Sequence, residues 1–158
     1  MDKIKLNIPF SPMRIKNDGV INKVYDPLRD RFVALTPEEY VRQQFTSWMR
    51  NELKYPSSMM ANEIGIKLNG TQRRCDTVVF SPDGSPLIII EYKAPDVTIS
   101  QDTFDQIVRY NMILRARYLI VSNGINHYCC FIDYNANTYH FIPQIPNYRD
   151  LIIPFSQN

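Results

Sequence analysis

The sequence predicts an α/β domain with a central mixed β-sheet flanked by helices. Three observations carry this. Short runs rich in Val, Ile, Thr, Phe and Tyr recur between turn signals. Two stretches of helical periodicity, near residues 36–55 and 100–115, interrupt them. The run "LIIIEYK" at 87–93 is apolar without a break until Glu91, the pattern of a central strand covered on both faces. Strands on either side of the second helix imply a crossover and a mixed sheet.

Each element has a local reason. Residues 1–35 read as an N-terminal arm or hairpin, because Asn17-Asp18-Gly19 is a turn signal between two short runs. Thr36 is a good N-cap, Pro37 fits the first helical position, and Glu39 closes a capping box. Val41, Phe45, Trp48, Met49 and Leu53 then repeat at helical spacing until Tyr55-Pro56 ends the run. "NEIGIKL" (62–68) and "CDTVVF" (75–80) read as strands, and Pro82-Asp83-Gly84 turns the chain into the strand at 87–93. Phe104, Ile107, Val108 and the Met112/Leu114 region form the apolar side of the second helix. "YLIVSNG" (118–124) is the next strand, and "HYCCFIDYNANTYHFI" is a hairpin turned at Asn135-Ala136-Asn137. The expected organisation is one domain: arm 1–35, core about 36–142, and a polar, proline-punctuated tail 143–158.

Composition narrows the class. The chain has 158 residues, 44% hydrophobic and 22% charged, which describes a globular protein able to bury a core. A net charge of +2 is too small to argue for nucleic-acid binding by itself. Cys75, Cys129 and Cys130 are odd in number and match no zinc spacing, so reduced, buried thiols are expected. No apolar segment suits a signal peptide or a membrane span, and a cytoplasmic location is expected.

The residues that carry chemistry lie on the central strand. Side chains two apart on a strand share a face, so Glu91 and Lys93 point one way and Tyr92 the other. A buried carboxylate needs a partner. A plain Glu91–Lys93 ion pair would supply one, but Asp76 lies on the preceding strand and the intervening turn makes the two strands a hairpin. Two carboxylates and a lysine at one end of a sheet suit magnesium, which takes few carboxylates and keeps several waters. A metal-bound water beside a lysine is a phosphodiester nucleophile.

"RCDTVVFSPDGSPLIIIEYKAP" resembles the core of PD-(D/E)xK nucleases. The longer run from "DPLRDRFVALTPEEYVRQ" through "FDQIVRYN" to "YLIVSNG" resembles the type I restriction enzyme R-subunit N-terminal domain family, over roughly residues 24–130. The resemblance implies a restriction-endonuclease-like core and a metal-dependent DNA nuclease. Asp76 and Glu91 would be the metal-ligating acids, with the Tyr92 carbonyl as a further ligand. Mg2+ would be the ion and Mn2+ its substitute. Lys93 would serve the water or the phosphate. Gln106 and Tyr110 match a Q-x-x-x-Y element of related nucleases, and positions i and i+4 share a helix face.

Glu38 is the preferred accessory acid, with Arg42 expected as its ion-pair partner. Glu39 is assigned to the cap, and Glu63 to a solvated edge. Arg73, Arg74 and Arg109 are candidates for DNA phosphate contacts, which position without reading sequence. For any one of them a solvated rim is the plainer expectation. His127 and His140 read as core or surface residues.

Two departures are visible. Cys75 stands where the family motif has proline. Full R subunits carry an ATP-driven motor, whereas these residues contain no G-x-x-x-x-G-K-[ST] phosphate loop. DNA is the expected partner, with a separate motor or specificity protein and a homodimer as further candidates. The alternative function is a non-cleaving nucleic-acid-binding or assembly module that keeps the nuclease fold.

Overall fold

The computed structural model describes residues 4–156, apart from the side chains of Leu68 and 153–156. The N-terminal arm is a three-stranded antiparallel meander, β1 (Ile15–Asn17), β2 (Asn22–Asp26) and β3 (Arg31–Ala34). It continues into α1 (Pro37–Asn51) and a single 3-10 turn at Ser57–Met59. The main sheet has six strands in sequence order: β4 (Met60–Leu68), β5 (Thr71–Phe80), β6 (Pro86–Tyr92), β7 (Tyr118–Ser122), β8 (His127–Asp133) and β9 (Thr138–Ile142). Every neighbouring pair is antiparallel except β6–β7, which is parallel and linked through α2 (Gln101–Met112). The expected mixed sheet with a helical crossover is therefore present.

α1 begins as its sequence requires. Thr36 Oγ1 accepts from Glu39 N at 3.1 Å, and Pro37 occupies the first turn. The Glu39 carboxylate does not turn back to complete the box; it points inward to arginines, as described below. Val41, Phe45 and Met49 are fully buried against Val79, Leu87, Ile88, Ile90 and Tyr92. On the other face of the sheet, Phe104 and Val108 of α2 pack with Val78, Ile89, Leu119 and Val121. β6 thus sends Ile88, Ile90 and Tyr92 to one core and Ile89 to the other, which explains its unbroken apolar run.

Three local expectations need correction. The arm has a third strand, entered through a turn in which Asp30 takes a φ of 52°. β5 starts at Thr71 rather than 75, so β4 and β5 form one long hairpin closed at Asn69-Gly70. Both turn residues have positive φ (51° and 79°), as a tight hairpin turn demands. The tail is not irregular throughout. Tyr148–Ser156 forms a third helix, α3, and Tyr148 and Leu151 bury against the α1-side core. Tertiary burial outweighs the weak local pattern there. Among the described residues no helix is long and apolar enough to cross a membrane.

Candidate active site

The site forms where β5, β6 and β7 meet. Thr77 lies opposite Ile90 in the β5–β6 register. One further step sets Asp76 across from Glu91, and alternation turns both toward the α2 side of the sheet. Tyr92 N donates to Asp76 Oδ2 at 2.9 Å, so the strand that presents Glu91 also fixes the Asp76 carboxylate. On the other flank, Glu91 lies opposite Val121 and Lys93 N donates to Ser122 O at 2.9 Å. The E-x-K tripeptide is thereby held from both sides. The Tyr92 ring packs edge-on to Phe45 with centroids 5.9 Å apart, and its hydroxyl donates to Thr77 Oγ1 at 3.0 Å.

The two acids crowd each other. Burial pushes the Glu91 carboxyl up to about 8, and the adjacent Asp76 carboxyl adds to the rise. Lys93 and the Asn111 amide oppose it by favouring the charged form. Cys75 sits beside both acids, but burial first, then Glu91 and Asp76, push its thiol up to about 12. It stays protonated and is a poor ligand. Burial raises Cys129 and Cys130 similarly, and all three thiols are free and buried.

Beneath the acids, Arg42 of α1 is 7% exposed. Its Nη1 donates to the Asp76 carbonyl at 2.7 Å, its Nη2 reaches Glu63 at 2.8 Å, and its Nε reaches Glu39 at 3.1 Å. Glu39 also accepts from Arg29 at 2.6 Å and from Gln43 at 3.0 Å. The expected Glu38–Arg42 pair is therefore not formed. Glu38 is exposed on the first turn, while Glu39, one position on and about 100° around the helix, faces the arginines. Glu63 is not a freely solvated edge residue either. It is ion-paired to Arg42 and Arg74 and takes a left-handed backbone, φ 51°. Glu63 breaks the β4 ladder opposite Asp76.

The remaining candidates are arranged differently. Gln106 and Tyr110 are exposed on α2. Tyr110 stacks with the Arg73 guanidinium, 4.5 Å from the ring centroid, and its carbonyl accepts from Arg73 Nε at 3.2 Å. Arg74 is engaged with Glu63, and Arg109 is exposed near Asp105. The residue brought against Glu91 from α2 is Asn111, which sequence reasoning missed. Its Nδ2 donates to Ile107 O at 2.9 Å, and its side chain lies against the Glu91 carboxyl. The available signal was an amide on the buried stripe Phe104, Val108, Asn111.

These residues fit a hard divalent ion. Among the described residues no three His, Cys, Asp or Glu side chains converge. A carboxyl pair alone suits magnesium, which fills its octahedron with waters and substrate oxygens. The two carboxyls lie side by side, flanked by the Lys93 ammonium. Asn111 Oδ1 is buried without a hydrogen-bond partner, an acceptor available to a metal-bound water.

The chain is a mixed α/β domain whose candidate site lies at the end of a parallel strand pair. It belongs to the type I restriction enzyme R protein N terminus family, whose model matches residues 37–146. A fragment of a putative HsdR subunit of a type I restriction enzyme from Vibrio vulnificus YJ016 shares the fold, with a TM-score of 0.53 and 18% identity. That likeness covers 78% of this chain and 26% of the other, so the chain spans about a quarter of that relative's length. A DrdV–DNA complex is a weaker likeness, with a TM-score of 0.43 and 14% identity over 76% of this chain and 12% of that one. No curated protein matches.

Proposed function

We propose that the domain is a magnesium-dependent DNA nuclease that hydrolyses phosphodiester bonds in restriction or repair. The observation that carries this is the Asp76–Glu91 pair, set across one strand pair beside Lys93. Asp76 and Glu91, with the Tyr92 carbonyl, would hold Mg2+, with Mn2+ as its substitute, and the ion would supply water activation and charge neutralisation at the phosphate. Asp76 is preset by Tyr92 N, and Glu91 is supported by Asn111, so the acids need little reorganisation to receive a cation. Lys93 follows Glu91 on the same face and supplies a positive charge to the phosphate or its attacking water.

Gln106 and Tyr110 offer a polar edge on α2 for the DNA backbone, and Arg73, Arg74 and Arg109 contribute phosphate contacts. Arg74 must exchange Glu63 for phosphate to do so. DNA is the partner. A motor or specificity protein and a second copy of the domain are the further candidate partners, the latter because double-strand cleavage needs two sites. The free thiols accord with a reducing cytoplasm.

The test is calorimetric titration of Mg2+ and Mn2+ into wild type, Asp76→Ala and Lys93→Ala, with plasmid nicking on the same samples. Wild type binds and nicks, Asp76→Ala loses both, and Lys93→Ala keeps the fold and the metal but not nicking. A wild type that binds neither metal, with or without DNA, refutes the proposal. Metal and DNA binding without nicking by any sample would favour the non-cleaving module.

A further inference from the structure

The N-terminal meander lies outside the family-matched residues and presents a face that the site does not use. Ile15 pairs with Val24, which is fully buried, so the alternate residues face outward. That outer face carries Arg14, Lys16 and Lys23 together with Tyr25 and Phe32. Lys16 and Lys23 are directly opposed across the strand pair, a like-charge juxtaposition that disfavours the free ribbon. Lys16 Nζ lies 4.0 Å from the Phe32 ring centroid. The Arg14 guanidinium lies 4.8 Å from Tyr25 and 5.6 Å from Phe32.

The meander holds three acids: Asp26 is buried, and Asp18 and Asp30 both have partners. Asp18 pairs with Lys23 at 3.2 Å, and Asp30 accepts from the Tyr25 hydroxyl. The β1–β2 tip is prebuilt: Asp18 Oδ1 accepts from Val20 N at 2.9 Å and Ile21 N at 3.0 Å, and Asn17 Oδ1 accepts from Gly19 N at 2.7 Å. This turn holds Val20 outward at 87% exposure, the most exposed large hydrophobic among the described residues, with Ile21 beside it at 43%.

We propose that β1–β2 is a DNA-docking ribbon: Arg14 and Lys16, joined by Lys23 once it exchanges Asp18 for phosphate, contact phosphates across a groove of duplex DNA, and Val20 and Ile21 press against base edges at its tip. The partner class rests on the nuclease proposal. The chemistry then selects this occupant. The rings are already covered by cations, so the face offers charge rather than apolar area. A two-stranded ribbon is of a width that a DNA groove admits. Apolar tips against bases are a recurrent partner of cationic stems. The ribbon is also tied to the site: β2 Asp26 accepts from Asn62, and Asn62 accepts from Thr77, next to Asp76.

The experiment uses the full chain in EDTA and a labelled duplex, with fluorescence anisotropy read across a salt series. Arg14→Ala/Lys16→Ala should weaken binding about tenfold at moderate salt and lower the log–log salt slope by about two. Val20→Ser should weaken binding a few-fold and leave the slope unchanged, because it removes no phosphate contact. Arg14→Gln/Lys16→Gln repeats the test with longer side chains, and thermal melting verifies the fold. Wild-type affinity and slope in these variants overturn the ribbon, as does a wild type that does not bind duplex. Loss of binding to anionic lipid vesicles with unchanged DNA affinity also overturns it. Binding in EDTA needs no metal site, so failure of metal binding or nicking leaves this result standing and sinks only the nuclease proposal.

Discussion

Replacing Glu91 by glutamine should stabilise the metal-free protein at pH 8 while removing a proposed metal ligand. Burial and the facing Asp76 raise the Glu91 carboxyl from 4.5 to about 8. Its ionised form is therefore the one the fold resists. Stability is fully present below the ordinary carboxylate range and is lost progressively as pH rises toward 8. One pKa unit corresponds to about 1.4 kcal/mol, so the shift sets a ceiling of about 5 kcal/mol. The site is half-buried, and solvent screening brings the expected difference to about 2 kcal/mol. Glutamine keeps the shape and loses the titration. Urea unfolding in EDTA should show Glu91→Gln more stable than wild type by about 2 kcal/mol at pH 8 and by less than about 0.5 kcal/mol at pH 5. Saturating Mg2+ should reverse the order at pH 8, because only wild type gains from the ion. A variant no more stable than wild type at pH 8 would refute the crowded-acid account.

Other perturbations follow from the same geometry. Arg42→Met takes one cation from each of Glu39 and Glu63 and frees the Asp76 carbonyl, and should cost about 3 kcal/mol in urea unfolding; a loss below about 1 kcal/mol would show that Arg29 and Arg74 suffice. Asn111→Leu removes an unpartnered buried acceptor together with a donor to Ile107 O and to Glu91, so the two effects offset and the metal-free protein should lose no more than about 1 kcal/mol by thermal melting. Calorimetry should nevertheless show about tenfold weaker Mn2+ binding, and unchanged affinity would remove Asn111 from the metal's surroundings. Gly124→Ala forces a side chain onto a φ of 86° and sets its Cβ 2.7 Å from Leu6 Cδ2 and 3.2 Å from Val41 Cγ2. It should cost about 2 kcal/mol by thermal melting, and an unchanged melting temperature would show that the N-terminal segment yields.

The acids were legible because strand alternation and a short turn leave few registers for Asp76, Glu91 and Lys93. The β5 extension was not, because its added residues Thr71–Arg74 are polar and belong to an exposed ribbon. Glu38 and Glu39 differ by one helical position, and only the arginines packed beneath decide which of them turns inward. Arg29 comes from the preceding meander to Glu39 and Glu63 from the following strand to Arg42, so no local pattern exposes the network they close on α1. Asn111 left a faint trace as an amide on an apolar stripe, but its partner Glu91 is brought there by the crossover. α3 depends on Tyr148 and Leu151 docking on a core assembled from distant segments.

The link from Asp26 through Asn62 to Thr77 bears on where such a domain can be divided. A polypeptide trimmed to the stretch shared with its relatives would lose Asp26 and Arg29. Asn62 would give up an acceptor and Glu39 a cation, two bonds away from the strand that presents Asp76. The N-terminal meander is thus a brace for the family-matched portion, and excising that portion alone would remove its foundation. Grafts between R-protein N termini should carry the meander and the sheet together, as one mechanical unit.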